Sequence, residues 1–158
     1  MMTKKPGNLA VLAIGLLLML GLVACEEGSD PVCTAFENDE FAARLDIDVA
    51  LFNQTDIGVC YEDDVLGAGS RAAGGDTVAV SYAGWLTNGF NFDAGSFGFT
   101  LNSGQVIPGF NDGVKGMRVG GRRTIIIPSQ LAYGASGSGS IPPNATLVFQ
   151  IDLDDFIE

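Results

Sequence analysis

Histidine is missing from this sequence altogether. That removes imidazole acid/base catalysis, a serine–histidine–aspartate triad and histidine metal ligation in one step. Basic residues are scarce too: 8 Lys and Arg face 19 Asp and Glu, a formal charge of −11. A surface this acidic repels nucleic acid, and it cannot by itself draw the chain to an anionic bilayer. Neither a nucleic-acid partner nor a metal is expected. No apolar run reaches the ~20 residues that span a bilayer comfortably. The longest, Leu9 to Val23, follows a short basic start at Lys4 and Lys5.

That layout is the layout of a signal peptide. Its end, Leu22-Val23-Ala24-Cys25, resembles a bacterial lipobox. The resemblance implies cleavage before Cys25, a diacylglyceryl group on its thiol and acylation of the new amino group. Each buried CH₂ contributes ~0.8 kcal/mol, so two or three chains anchor where one is marginal. The alternative is an ordinary signal peptide or an uncleaved anchor, with Cys25 incidental. Glu26 after the cysteine favours outer-membrane sorting, so the expected location is the bacterial cell envelope, lipid-anchored on the periplasmic side. Without residues 1–24, 6 basic residues face 19 acidic ones, a charge of −13.

Cys33 and Cys60 then remain, an even pair in an oxidising compartment. A bridge between them would be worth roughly 3.6 kcal/mol in the chain-entropy picture; two free buried thiols are the alternative. From Glu26 to Pro31 the chain reads as a short acidic tether. Residues 34–44 suit a short helix capped by Thr34, with Glu37 three positions on and Phe36 and Phe41 apolar. From Leu45 the pattern alternates, with Ile47, Val49 and Leu51 on the same side, and reads as a strand or extended arm packed against the C-terminal domain.

Beyond Gly58 the signals are those of a β-rich domain. Strands are expected at VCYEDDV, at TVAVSYAGWL and from Phe92 to Leu101, with Asn88-Gly89 as a tight hairpin turn. GFNDGVKGM is the helical candidate. It carries Gly113 and Gly116, so packing rather than propensity must hold it. RRTIIIP reads as an apolar strand, Ser129 to Ser140 as a loop, and ATLVFQIDLDDFI as a long final strand. The class is α+β, mostly β, an antiparallel sheet with one short helix.

Four strings in this region occur in order: VSYAGWLTNGFNFD, FGFTLNSGQVIPGFNDGVKGMRVGGRR, IPSQLAYGASG and IPPNATLVFQIDL. Together they resemble the FKBP-type peptidyl-prolyl cis/trans isomerases over the whole of that family's domain, here residues 57–158. Residues 1–24 are then the leader, and 25–56 an acidic tether and N-terminal extension. The resemblance implies a twisted, half-open antiparallel β-sheet wrapped around one short α-helix, with the pocket between them. It implies X-Pro isomerisation without a cofactor, proline-containing polypeptides as partners and macrolides such as rapamycin as inhibitors. Some family members dimerise through an extra N-terminal region, but residues 26–56 are too short for its longer helical versions, so a monomer is expected. A prolyl-peptide-binding or chaperone module with weak turnover is the rival reading.

Carried over by motif, Tyr82, Phe92, Phe110 and Phe149 would wall the proline, with Val106 and Ile107 along one side. The Ile107 amide and the Tyr133 hydroxyl would donate to substrate. Asp93 would orient Tyr82 or polarise the twisting amide. Phe97, Phe99 and Ile141 would complete the rim, and Gln105 would offer its main-chain carbonyl. Gly109, Gly113, Gly120 and Gly134 read as backbone-geometry positions. Three departures from the family pattern stand out. Phe110 replaces a common tryptophan floor. The Asp93–Phe97 segment is short and lacks the arginine that pairs with the pocket aspartate in well-known members. The loop from Tyr133 to Ile141 is shorter and rich in Gly and Ser.

Overall fold

The computed structural model describes Cys33, Phe36 and residues 39–157. The leader, Cys25, the tether, and Thr34, Ala35, Glu37 and Asn38 of the expected helix lie outside the described residues.

Six antiparallel strands form one sheet: β1 (Asn53–Gln54), β2 (Cys60–Val65), β3 (Thr77–Leu86), β4 (Asn91–Thr100), β5 (Arg122–Ile127) and β6 (Leu147–Phe156). Their spatial order is β1-β2-β5-β6-β3-β4. Helix α1 (Pro108–Val114) lies in the crossover from β4 to β5. The fold is therefore the expected α+β class. β3 and β4 are hairpin partners, closed through Gly89, whose φ of 82° suits the turn. The sheet also takes in β1, ahead of the expected domain start at residue 57.

β5 is central, and every residue from Arg123 to Ile127 is buried. Its alternate side chains serve two cores, which explains an unbroken apolar run rather than a polar alternation. Ile125 and Ile127 belong to the main core with Phe99, Phe110, Val114 and Phe149. Ile126 belongs to a second core with Cys33, Phe36, Phe52 and Cys60, flanked by Phe41, Ile47 and Val49. The described part of the N-terminal extension thus covers the back of the sheet. Cys33 and Cys60 are joined by a disulfide with Cα atoms 5.6 Å apart, and the Cys33 amide donates to the Phe52 carbonyl at 2.9 Å.

Among the described residues, the extension departs from the helix and strand its pattern suggests. Residues 39–42 are not helical, and short 3₁₀ turns occupy Ala43–Leu45 and Val49–Leu51. Two aspartates account for the loss of the expected strand from Leu45 to Leu51. Asp46 adopts a left-handed φ of 50°, and the Asp48 carboxylate accepts from the Ala50 amide at 3.2 Å. Such local side-chain bonds compete with a ladder. Ile47 and Val49 still turn inward, while Leu51 is left 61% exposed.

Helix α1 has seven residues, begins on Pro108, and buries Gly109, Phe110, Gly113 and Val114. A β-carbon on Gly109 would overlap Ile127 Cγ2, and one on Gly113 would come within 2.6 Å of Ile125 Cδ1. The two glycines, one turn apart, let the helix lie against β5. Arg123 fastens its far end. This arginine, 6% exposed, donates to the Gly113 and Lys115 carbonyls at 3.1 and 3.3 Å. It also pairs with both Asp63 oxygens at 2.7 and 2.9 Å, and its guanidinium carbon lies 4.3 Å over the Tyr61 ring. The charge is buried but paired, bidentate and stacked, so removing either partner would strand the other.

Gly109→Ala separates packing from propensity. Propensity alone favours alanine by up to ~1 kcal/mol. Overpacking against Ile127 instead gives a net loss of about 1–3 kcal/mol, read from the denaturant midpoint; an unchanged or raised midpoint would show that the helix does not need this approach.

Candidate functional site

A pocket of about 540 Å³ opens between α1 and the concave face of the sheet. Its lining comes from three strands, the helix and two loops: Tyr82 on β3, Phe92, Asp93 and Phe97 on β4, Phe110 on α1, Phe149 on β6, Tyr133 from the β5–β6 loop, and Gly104, Gln105, Val106 and Ile107 ahead of α1. Phe110 is the buried floor, 3% exposed. Its ring centre lies 5.2 Å from Phe149 and 5.9 Å from Tyr82, both nearly edge-on at 83°. Phe92 stands edge-on to Phe149 at 5.5 Å, and Tyr82 to Phe97 at 5.4 Å. Aromatic pairs prefer such edge-to-face arrangements, so the walls brace one another.

Phe92 and Asp93 are sequence neighbours, yet both line the pocket. A regular strand would send them to opposite faces. The ladder between β3 and β4 shifts register at Gly84/Trp85, and that bulge supplies the extra turn of the chain. The Asn91 side-chain amide fills it, donating to the Gly84 carbonyl at 3.0 Å and the Asp93 carbonyl at 3.2 Å. Gly84 itself is required by the wall. A β-carbon there would sit 2.7 Å from both Phe92 Cζ and Phe149 Cε1. Neither Gly84 nor Gly104 stands out in the sequence; a lone glycine inside the TVAVSYAGWL strand is the available signal for the first.

The Tyr82 hydroxyl donates to Asp93 Oδ2 at 2.6 Å, short as befits a charged acceptor. Asp93 is exposed and, lacking the family's arginine, has this tyrosine as its side-chain partner. Burial first, then the hydrogen bond and the charge of Asp93, push the Tyr82 hydroxyl up to about 12. Tyr82 thus remains protonated throughout the physiological range, with its proton committed to Asp93.

The other expected residues fall into two groups. The Ile107 amide takes no hydrogen bond within the described chain, and Tyr133 is 39% exposed at the pocket mouth. Gln105 lines the pocket, and its side-chain oxygen is engaged in accepting from the Thr100 amide at 2.8 Å and the Ser103 hydroxyl at 2.7 Å. Val106 lines the pocket from a loop, not from a strand. Phe99 and Ile141 do not line it. Phe99, 2% exposed, lies 5.9 Å from Phe110 as core behind the floor, and Ile141, 7% exposed, is core as well. The Gly/Ser loop that bears Tyr133 is closed by paired amide bonds between Ser138 and Ile141 and by Asn144 donating to the Gly134 carbonyl.

The family model described as FKBP-type peptidyl-prolyl cis-trans isomerase matches residues 69–154. An FK506-binding protein of Neisseria meningitidis serogroup B is 44% identical over 102 residues, 61% of this chain and 94% of that protein. FK506-binding protein 4 of Dictyostelium discoideum is 48% identical over 100 residues, but this chain spans only 28% of it. Among solved structures, AtFKBP13 superposes with a TM-score of 0.63 at 32% identity, covering 67% of this chain and 98% of that one. FkpA from Escherichia coli gives a TM-score of 0.62 at 37% identity, covering 67% of this chain and 51% of that one.

The Tyr82–Asp93 bond has a spectroscopic signature. An unfolded tyrosine ionises at about 10 and Tyr82 at about 12, so the folded state loses relative stability as pH rises from 10 to 12. Ultraviolet titration should show a late phenolic phase that Tyr82→Phe removes and Asp93→Ala moves to lower pH. A late phase unmoved by Asp93→Ala would mean that the carboxylate does not hold this proton.

Proposed function

The chain belongs to the FKBP-type peptidyl-prolyl cis-trans isomerase family, and on that premise we propose that it isomerises X-Pro bonds in polypeptides that have left the cytoplasm. The observation that carries the reading is the aromatic box around Phe110, closed by Tyr82 and Asp93 on one side and an unbonded Ile107 amide on the other.

Rotation about an X-Pro bond is opposed by a barrier of ~18–20 kcal/mol, because it breaks amide resonance. Water stabilises the planar, charge-separated amide more than the twisted one. A dry apolar site therefore favours the twisted form relative to solution. Phe110, Phe149, Tyr82 and Phe97 exclude water from the ring, while the Ile107 amide and the Tyr133 hydroxyl hold main-chain carbonyls on either side of it. Asp93 keeps Tyr82 in place and presents its second oxygen to the rotating amide. No proton is transferred and no covalent bond forms, which suits a chain without histidine. Each ~1.4 kcal/mol taken from the barrier gives a tenfold rate. The same pocket would accept a macrolide that presents a proline-like ring.

Two features support an exported setting. The Cys33–Cys60 disulfide belongs in an oxidising compartment, and the N-terminal run with its Cys25 has the layout of a lipoprotein leader. We place the protein in the bacterial envelope, held by lipid on Cys25, with the outer membrane favoured and the domain monomeric.

A protease-coupled proline-peptide assay tests the activity. Asp93→Ala and Tyr133→Phe should each lower kcat/KM by about tenfold, the scale of one well-placed hydrogen bond, with unfolding midpoints nearly unchanged. A folded wild-type protein no faster than the uncatalysed reaction would leave only a prolyl-binding module. Cys25→Ser should move the protein from the membrane fraction to the soluble one; unchanged partitioning would refute lipidation.

A further inference from the structure

The sheet has two edges of very different character. One is β1, two residues long. The other is β4, ten residues long, carrying no proline and no lysine or arginine. Long edges are normally blunted by such residues or covered, because a row of free amides and carbonyls pairs readily with another chain.

The outward groups can be assigned. Leu101 donates to the Asp76 carbonyl at the end of the β3–β4 ladder, and antiparallel partners alternate from there between bonded and non-bonded pairs. Phe97 and Gly95 therefore address β3, while Ala94, Ser96, Gly98 and Thr100 address the outside. Thr100 is already satisfied, its amide by the Gln105 side chain and its carbonyl by Ser103. Ala94, Ser96 and Gly98 make no outward backbone hydrogen bond among the described residues, and all three are exposed. Their side chains are too small to screen the main chain. On the pocket side of this stretch stand Asp93 and Phe97, which line the site.

We propose that the outer edge of β4, from Ala94 to Gly98, is a second binding element that takes the extended main chain of the polypeptide substrate as an added antiparallel strand. Continuity with the pocket argues for this occupant. A chain leaving the pocket over the Asp93–Phe97 rim reaches the edge at once, since paired strands lie only ~4.8 Å apart. The residue before a proline also favours extended backbone, which suits pairing as a strand. Main-chain pairing reads no sequence, which fits an enzyme whose substrates share little besides proline. The inference rests on the isomerase reading only for where the proline sits.

The test compares a capped tetrapeptide containing one X-Pro bond with an unstructured ten-residue peptide containing the same bond, and with two ten-residue versions N-methylated at alternate flanking positions. The long peptide should show a KM about tenfold lower (1.4 kcal/mol), with kcat unchanged. N-methylation in one of the two alternating registers should abolish the gain and in the other leave it. Hydrogen exchange at the Ser96 and Gly98 amides should slow with the long peptide and not with the tetrapeptide. Equal KM values, or N-methylation without effect in either register, would overturn the proposal. If no peptide is turned over, the isomerase reading fails by itself. Protection of the two edge amides by the long peptide would then still support the added strand, and its absence would refute it.

Discussion

A helix of seven residues with two glycines has almost no stability of its own. Contact with the sheet holds α1 in place, and the rest of the site depends on how close that contact is. Gly109 and Gly113 remove the side chains that would keep the helix off Ile127 and Ile125. Phe110, next to Gly109, is thereby lowered to the bottom of the pocket, where it meets Tyr82, Phe97 and Phe149. Arg123 secures the other end by tying the Gly113 and Lys115 carbonyls to Asp63. A phenylalanine floor is smaller than a tryptophan one, and close seating of the helix helps to keep the pocket tight around it.

Two layers separate strength from function. The back of the sheet is fastened by the disulfide and by the second core around Ile126. The concave side carries exposed polar chemistry: the Tyr82–Asp93 pair, the Ile107 amide and the mouth at Tyr133. Stabilising the sheet from behind leaves its front open to a chain. Among the described residues the open edge of β4 lies at the opposite end of the strand order from β2, which carries the disulfide.

Much of this is legible in the sequence, for identifiable reasons. TVAVSYAGWL alternates through Val78 and Val80, the terminal strand alternates from Phe149 to Leu153, and Asn88-Gly89 marks the turn from β3 to β4. β5 is legible because a central strand buries both faces. The extension is not, because Leu45 to Leu51 alternates like a strand while Asp46 and Asp48 bend it into turns. Alternation reports which side chains face inward, not whether a partner strand exists. Within the site, the pocket aromatics follow from the family pattern. The bulge at Gly84/Trp85 does not, although it turns both Phe92 and Asp93 inward. Phe99 and Ile141 show the converse: apolar residues beside a pocket in sequence can be core behind its wall. No single-residue signal separates those two cases, because both bury the same kind of side chain.

For an isomerase, an aromatic pocket with fixed donors has to speed rotation about the X-Pro bond and not merely hold it. Exchange spectroscopy on a proline peptide, with the protein at substoichiometric amounts, measures this directly. Cross-peaks between cis and trans resonances are expected within about a second, where the uncatalysed bond needs tens to hundreds of seconds, together with shift changes at Phe110, Phe149 and Tyr82. The same shift changes without accelerated exchange would contradict isomerase activity, leaving a proline-binding pocket that does not catalyse.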